Sequence, residues 1–379
     1  MTELKPEILS AELVPAALKE LFAYPALLEG MRTFLPAELN EHIFSVKDKI
    51  SNVHEFQANI VYPVLKAIEA VSVRQITTSG LEALNPAERY LFISNHRDIV
   101  LDSAFMNTEL FDHGFETAPM AVGDNLMRHR ISELIFLLNK SFVVKRTGTP
   151  IELYRYSVEL SSFIHDQIVE GRSSVWIAQR EGRAKDGNDR TQVGLLKMLS
   201  LSAKTDLPSY FRALKVVPVS ISYEIDPCGV LKTQEFLRKQ ADPEYKKSYQ
   251  EDAAYMLQGL KGKKGHIHIH YGAPLDTELT AMEAAPNAKK QLEALAGILD
   301  EAIHRHYFLH PNNYVAYSLL HGPEHDHRFT EEERAAALAF FERQFQFLGE
   351  AAGEAGKQYL LGMYAWPVVN RFAQGGELG

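Results

Sequence analysis

Cysteine is almost missing from this chain: Cys228 is the one thiol in 379 residues. No intrachain disulfide can form, and a four-cysteine zinc site is excluded. The pattern fits a reducing compartment. Long apolar runs are missing too. No stretch reaches the roughly 18 consecutive apolar residues of a spanning helix. The longest uncharged stretch near the end, QYLLGMYAWPVVN over 358–370, is shorter and carries Gly362 and Pro367. The N-terminal MTELKPEILSAELVPAALKE brings in acid at Glu3 and has no clean apolar core, so it does not read as a secretory signal. Positive charge is in deficit, with 40 Lys+Arg against 49 Asp+Glu and a net charge of −9. Nucleic-acid affinity rests on neutralising phosphates with Lys and Arg, so a general nucleic-acid binder is disfavoured, while local basic clusters remain able to hold a small phosphate. A cytoplasmic protein, at most peripheral at a membrane, is expected.

What is present has ordinary globular composition, 46% hydrophobic and 23% charged residues. At about 150 residues per domain the length corresponds to about 2.5 domain units. No internal repeat or low-complexity tract is visible. Residues 1–72 read as helices, as in EFQANIVYPVLKAIEAV, where apolar positions recur at three- and four-residue spacing. From residue 73, short β-branched or aromatic runs alternate with helical patterns. Strands are predicted over 73–78, 90–94, 119–122, 141–145, 173–178, 216–223 and 266–271, and helices over 101–110, 126–138, 151–169, 192–201 and 233–260. This alternation predicts an α/β domain over 73–310, a layered and mostly parallel mixed sheet flanked by helices. Residues 289–309 and 330–372 return to helix, with a C-terminal helical extension over 311–379. The Pro-, Gly-, Asn- and His-rich stretch 310–329 is the expected linker. Open α/β sheets display their chemistry in loops after the carboxyl ends of the strands.

Four strand ends carry chemistry-bearing residues. YLFISNHRDIVLDSAFMN (90–107) puts Asn95, His96, Arg97, Asp98 and Asp102 directly after a strand. A near-neutral imidazole can take a proton from a hydroxyl, and a carboxylate can fix its tautomer and stabilise the imidazolium. On residue types alone, a plain helix cap at Asp102 or Ser103, with His96 packed in a loop, is the commoner outcome. SVWIAQREGRAKDGNDRTQVGLLKM (174–198) follows a buried strand with a glycine-flexed loop holding Arg180, Arg183, Lys185 and Arg190. Those cations suit a phosphate clamp, or else pair with Glu181, Asp186 and Asp189 as a solvated loop. LLNKSFVVKRTG (137–148) ends a strand in Lys145–Arg146. KVVPVSISYE (215–224) is an apolar strand interrupted by Pro218, which marks an edge, a bulge or a strand start.

In order, these segments resemble the glycerolipid acyltransferases, the family of glycerol-3-phosphate and lysophosphatidic acid acyltransferases, over about residues 75–275. The family's first block is Asn-His followed after four residues by Asp. Here Asn95–His96 match, and Asp102 arrives after five. The second block ends a strand in Arg, matched by Arg146 without the usual preceding glycine. The third, Glu-Gly-Thr-Arg or a close variant, is matched by Glu181–Gly182–Arg183 without the Thr. Pro218 matches the proline of the fourth. The phrase WIAxxxGR, the helical N-terminal region and the length also resemble the soluble plastid-type glycerol-3-phosphate acyltransferases.

The resemblance implies transfer of a fatty acyl group from a thioester, on coenzyme A or acyl carrier protein, to a hydroxyl of glycerol 3-phosphate or a lysophospholipid. It implies His96 as general base, Asp102 as its partner and direct attack without an acyl-enzyme. Substrate binding would fall to Lys145, Arg146, Glu181, Gly182, Arg183 and Lys185, and oxyanion stabilisation to a backbone N–H of the His96 or Gly182 loop. No metal or redox cofactor is implied. Asp98 remains an alternative partner for His96; the Leu101–Asp102 pair resembles the family's apolar residue before the aspartate. A thioesterase using the same His/Asp pair, and a non-catalytic lipid- or acyl-carrier-binding relative, are the competing functions.

Other motifs carry less. His96–Arg97–Asp98 spells the kinase catalytic tripeptide, but no Asp-Phe-Gly or Gly-rich loop accompanies it, and no Gly-x-Ser-x-Gly elbow exists. GHIHIHYG puts His266, His268 and His270 on one strand face, a metal candidate or a polar outer face. His321, His325 and His327 fall in the expected linker with the same two readings. Cys228 lies in a predicted turn with nothing to activate it. The stretch 359–366, with Phe372, suits lipid docking or, more simply, a packed C-terminal helix.

Overall fold

The computed structural model describes residues 6–373. Within them seven strands form one sheet: β1 (Val73–Ser79), β2 (Leu91–Ser94), β3 (Met120–Gly123), β4 (Ser141–Val144), β5 (Val175–Ala178), β6 (Val216–Tyr223) and β7 (Gly265–Tyr271). Their order is β1-β7-β6-β2-β5-β3-β4, and every pair is parallel except β6–β7. This is the mostly parallel mixed α/β sheet the sequence predicts. Parallel strands are covered on both faces and read as unbroken apolar runs. Accordingly every residue of β6 is buried. In β7 the alternation puts Ile267, Ile269 and Tyr271 inside.

Helices cover both faces of the sheet. On one face Tyr156, Leu160 and Ile164 pack with Leu196, Phe211 and Leu295 against alternate strand residues. On the other, Leu101, Phe105 and Leu110 of helix Leu101–Asp112 pack with Leu65, Phe92, Val217 and Val219. The helices before β1 build a separate core around Leu18, Ile43 and Phe56, which also takes in Leu134 and Leu138. Near the C-terminus, helices Pro311–His321, Glu331–Leu348 and Gly353–Phe372 share a cluster that includes Phe341, Leu360 and Tyr364.

Four expectations change. The helix predicted over 233–260 is two helices, Gly229–Ala241 and Tyr249–Lys261. Asp242 precedes Pro243, whose ring disfavours the helical region for it, and adopts extended backbone. The helix predicted over 330–372 breaks at Gly349 and Gly353, both at positive φ. The stretch 310–329 is not a linker. Pro311 occupies the favoured first helical position, His310 caps the helix, and the buried Asn313 donates to the Tyr364 carbonyl at 2.9 Å. Finally, Pro218 lies within a central strand. It sits one residue beyond the last β6–β7 pair, Val219↔Tyr271, so its missing N–H falls where β7 has ended, while its carbonyl accepts from Gly272 at 2.9 Å. A short helix, Leu207–Ala213, was not foreseen.

Candidate active site

β2 delivers Asn95 and His96 at the carboxyl edge of the sheet, between β5 and β6. Asn95 is fully buried. Its Oδ1 accepts from the Ile221 N–H at 2.8 Å and its Nδ2 donates to the Ile221 carbonyl at 2.9 Å, so the side chain continues the β2–β6 ladder after the strand ends. Trp176 of β5 donates its indole N–H to Ser94 at 2.9 Å and sets its ring edge-on to His96, 6.0 Å between centroids.

The His96 Nδ1 lies 2.8 Å from Asp102 Oδ2. A carboxylate facing Nδ1 places the proton there, so Nε2 is left as the basic nitrogen. Asp102 is wholly buried, and its carboxylate is surrounded by donors. Oδ2 also accepts from the backbone N–H groups of Arg97 (2.6 Å) and Asp98 (3.0 Å), and Oδ1 accepts from the Tyr223 hydroxyl (2.9 Å). Burial alone would raise its pKa. The His96 imidazole and the two amides outweigh burial, and the net shift is downward. The loop curls around the carboxylate, and this absorbs the five residues between His96 and Asp102. Asp98 does different work. Its Oδ1 accepts from Val100 and Leu101, both at 2.9 Å, capping the start of helix Leu101–Asp112. Burial, then the neighbouring Asp102 charge, pushes its pKa up.

His96 opens on a cavity of about 1350 Å³. One side is built by the helices before β1, through residues such as Phe34, Ile60 and Leu65; the other by helix Leu101–Asp112, β3 and the ends of β4 and β5. The wall is largely apolar, with a charged group at the strand ends. There Lys145, Arg146, Arg180, Glu181 and Gly182 line the same space as His96. Arg146 crosses Gly123, where a Cβ would come within 2.7 Å of its Nε, and its guanidinium lies 3.4 Å from Glu181. Gly182 turns the loop at φ +71°, and the loop is tied to its neighbour by the Ala184 N–H donating to the His96 carbonyl at 2.9 Å. The Arg180 Nε has no partner among the described residues.

Two residues expected at this site lie elsewhere. Arg183 is 7% exposed, stacks its guanidinium 4.4 Å above the Tyr255 ring and does not line the cavity. Lys185 pairs with Glu235, whose other oxygen takes the Tyr255 hydroxyl at 2.9 Å. Both therefore face helices Gly229–Ala241 and Tyr249–Lys261. Tyr223 is not singled out by the sequence, and Arg180 stands there only as one of the loop's candidate phosphate-binding cations. For Tyr223 the signal is alternation along β6, which puts it on the same face as Val219 and Ile221. For Arg180, one of four cations in its loop, no sequence signal separates it from Arg183, because the left-handed turn at Gly182 decides which side each takes.

The other clusters are structural. Thr77 and Ser79 bridge His266, His268 and His270 through bonds of 2.7 to 3.0 Å. Among the described residues no group of three or more His, Cys, Asp or Glu is arranged to hold a metal. Cys228 is buried, which pushes its thiol up to about 12. Leu360, Leu361 and Val368 of the last helix are in the core. No helix of the described residues is long and apolar enough to cross a membrane.

No protein-family model matches the chain, and no curated protein matches it. Among solved structures it is similar to the 1-acyl-sn-glycerophosphate (LPA) acyltransferase PlsC from Thermotoga maritima, at 12% identity and a TM-score of 0.35, over 77% of this chain and 92% of that one. A likeness that distant carries no chemistry, which has to come from the site itself.

Proposed function

We propose that this chain is an O-acyltransferase of the glycerolipid type, moving an acyl group from a thioester of coenzyme A or acyl carrier protein to a hydroxyl of glycerol 3-phosphate or a lysophospholipid. The observation that carries this reading is the His96–Asp102 pair opening on a large apolar cavity whose strand-end rim holds Lys145, Arg146 and Arg180. An apolar cavity of this size suits an acyl chain, and the rim cations suit a phosphate.

In this mechanism the acyl chain lies in the cavity with its thioester carbonyl at His96. The rim cations hold the acceptor phosphate and turn a bimolecular encounter into an oriented one. His96 Nε2 takes the acceptor hydroxyl proton as the oxygen attacks the thioester carbon. Asp102 keeps Nδ1 protonated and stabilises the imidazolium. The tetrahedral intermediate then collapses: the C–S bond breaks, the sulfur takes the proton from Nε2, and ester and thiol leave. Asp98 acts as a helix cap, and Arg183 and Lys185 brace the loop from behind. The test is thiol release from an acyl thioester with and without glycerol 3-phosphate or a lysophospholipid. Release that requires the acceptor supports transfer; release at the same rate without it would make the protein a thioesterase.

A further inference from the structure

The far end of the apolar cavity holds a polar pair. Helix Leu101–Asp112 starts at the carboxyl edge of the sheet, beside His96, and runs back to the amino edge, where β3 begins. Val100, Ala104, Thr108 and Phe111 all line the cavity. At 1.5 Å per residue this wall is about 16 Å long, the reach of an extended medium-length acyl chain. Its far end is therefore the amino edge of the sheet. Thr117, just before β3, and Gln57 line the cavity there, beside Met120 and Phe136.

Gln57 is 8% exposed and opens a single π-helical turn, Gln57–Val61, an insertion frequent at functional sites. Its orientation follows from a chain of hydrogen bonds. The Lys140 ammonium can only donate, and it donates to Thr117 Oγ1 at 2.9 Å. Thr117 Oγ1 in turn donates its own hydrogen to Gln57 Oε1 at 2.7 Å. That fixes the amide: the oxygen faces Thr117, and the Nε2 hydrogens open on the cavity, with no acceptor among the described residues. Lys140 holds this position with φ +56°, a left-handed backbone that few non-glycine residues adopt. Among the described residues no carboxylate is in ion-pair contact with it, Glu116 acting only from a longer distance, so the charge polarises the chain toward Gln57.

The other uncharged polar side chains of the wall each have a hydrogen-bond partner, Thr33, Ser157 and Gln192 included. Ser103 and Thr108 donate to carbonyls of their own helix, Asn107 pairs with the Ala118 backbone, Tyr62 donates to Asp112, and Asn139 donates to the Ile135 carbonyl. A plain methyl terminus against Gln57 would leave a buried donor unpaired, which is costly. We propose that Gln57 is a specificity-determining residue that selects acyl chains carrying a hydrogen-bond acceptor, a hydroxyl or a carboxylate, at the end remote from the thioester. The inference rests on the cavity holding the acyl chain.

Equilibrium binding to the full chain tests it without turnover. The probes are thioether analogues of S-dodecanoyl pantetheine with a methyl, an ω-hydroxyl or an ω-carboxylate terminus, titrated by calorimetry. The pantetheine arm is common to coenzyme A and acyl carrier protein. An ω-oxygenated analogue should bind about tenfold more tightly than the methyl analogue, and comparison of the two oxygenated probes shows whether the Lys140 charge favours the carboxylate. In Gln57→Leu that advantage should vanish, with the methyl analogue binding at least as well as before. Thr117→Val, which frees the amide to rotate, should shrink it. Equal binding of all three analogues to the native chain, or an advantage that survives both substitutions, would overturn the inference. If no analogue binds, the acyl reading of the cavity fails and the inference with it.

Discussion

At the level of single residues the two carboxylates near His96 have opposite assignments. Asp102 accepts four hydrogen bonds, one of them from the imidazole, whereas Asp98 caps a helix. Asp102→Asn should therefore lower kcat about 10²–10⁴-fold, because an amide no longer fixes the tautomer or stabilises the imidazolium. Asp98→Asn should keep kcat within a few-fold, since Asn also caps helices well. Steady-state rates of the two variants side by side decide between them. The cations divide in the same way. Arg180→Ala should raise the KM of the phosphorylated acceptor with the thioester KM unchanged. Arg183→Ala should leave both KM values alone and cost about 1–2 kcal/mol of stability in urea unfolding, through the lost stacking on Tyr255. The residue types of this site were visible in the sequence, down to the Asn95–His96 step and the strand-end arginine. Which cation faces the cavity was not, because one left-handed glycine, Gly182, decides it.

Among the elements, β7 carries a consequence for pH. His266, His268 and His270 share one face, hydrogen-bonded to Thr77 and Ser79, with Phe308 and His310 packed against it. Burial lowers the pKa of His268 and of His270 from 6.5 to about 4, with neighbouring imidazoles adding to the shift. Glu82, in the β1–β2 connection, opposes the shift of His270; at His266, Glu224 just after β6 favours protonation and Arg74 acts against it. A base whose folded pKa is depressed is protonated first in the unfolded chain. Its contribution is thus full above about pH 6.5 and is lost as the pH falls toward 4, by about 1–3 kcal/mol for each histidine. Urea midpoints between pH 7 and 4.5 should show this decline, and His268→Gln, which offers a donor and an acceptor but does not titrate, should flatten it. The strands were the most legible elements: β6 spans the predicted 216–223, and the other six fall within one or two residues of expectation. Breaks inside long helices were not read correctly. The apolar pattern continues across Pro243 and the glycines at 349 and 353 and so hides those breaks, and a proline such as Pro311 marks a loop and a helix start alike.

Over the whole molecule, the feature that gives the site its meaning is contributed by two parts of the chain. The helices before β1 have their own core, yet they close one side of the cavity whose other side is the sheet and its crossover helix. Periodicity identified those helices and that sheet. It could not show that they leave about 1350 Å³ between them, since a cavity depends on side chains that meet only in three dimensions. In the proposed reaction one imidazole, His96 at the mouth of this cavity, draws the proton from an acceptor hydroxyl. The most direct measurement is single-turnover formation of the ester from acyl thioester and glycerol 3-phosphate by the native chain and by His96→Ala, with unfolding curves for both. Ester formation should be slowed about 10²–10⁴-fold in the variant at unchanged stability. A folded His96→Ala chain that forms ester at the native rate would contradict the proposed reaction.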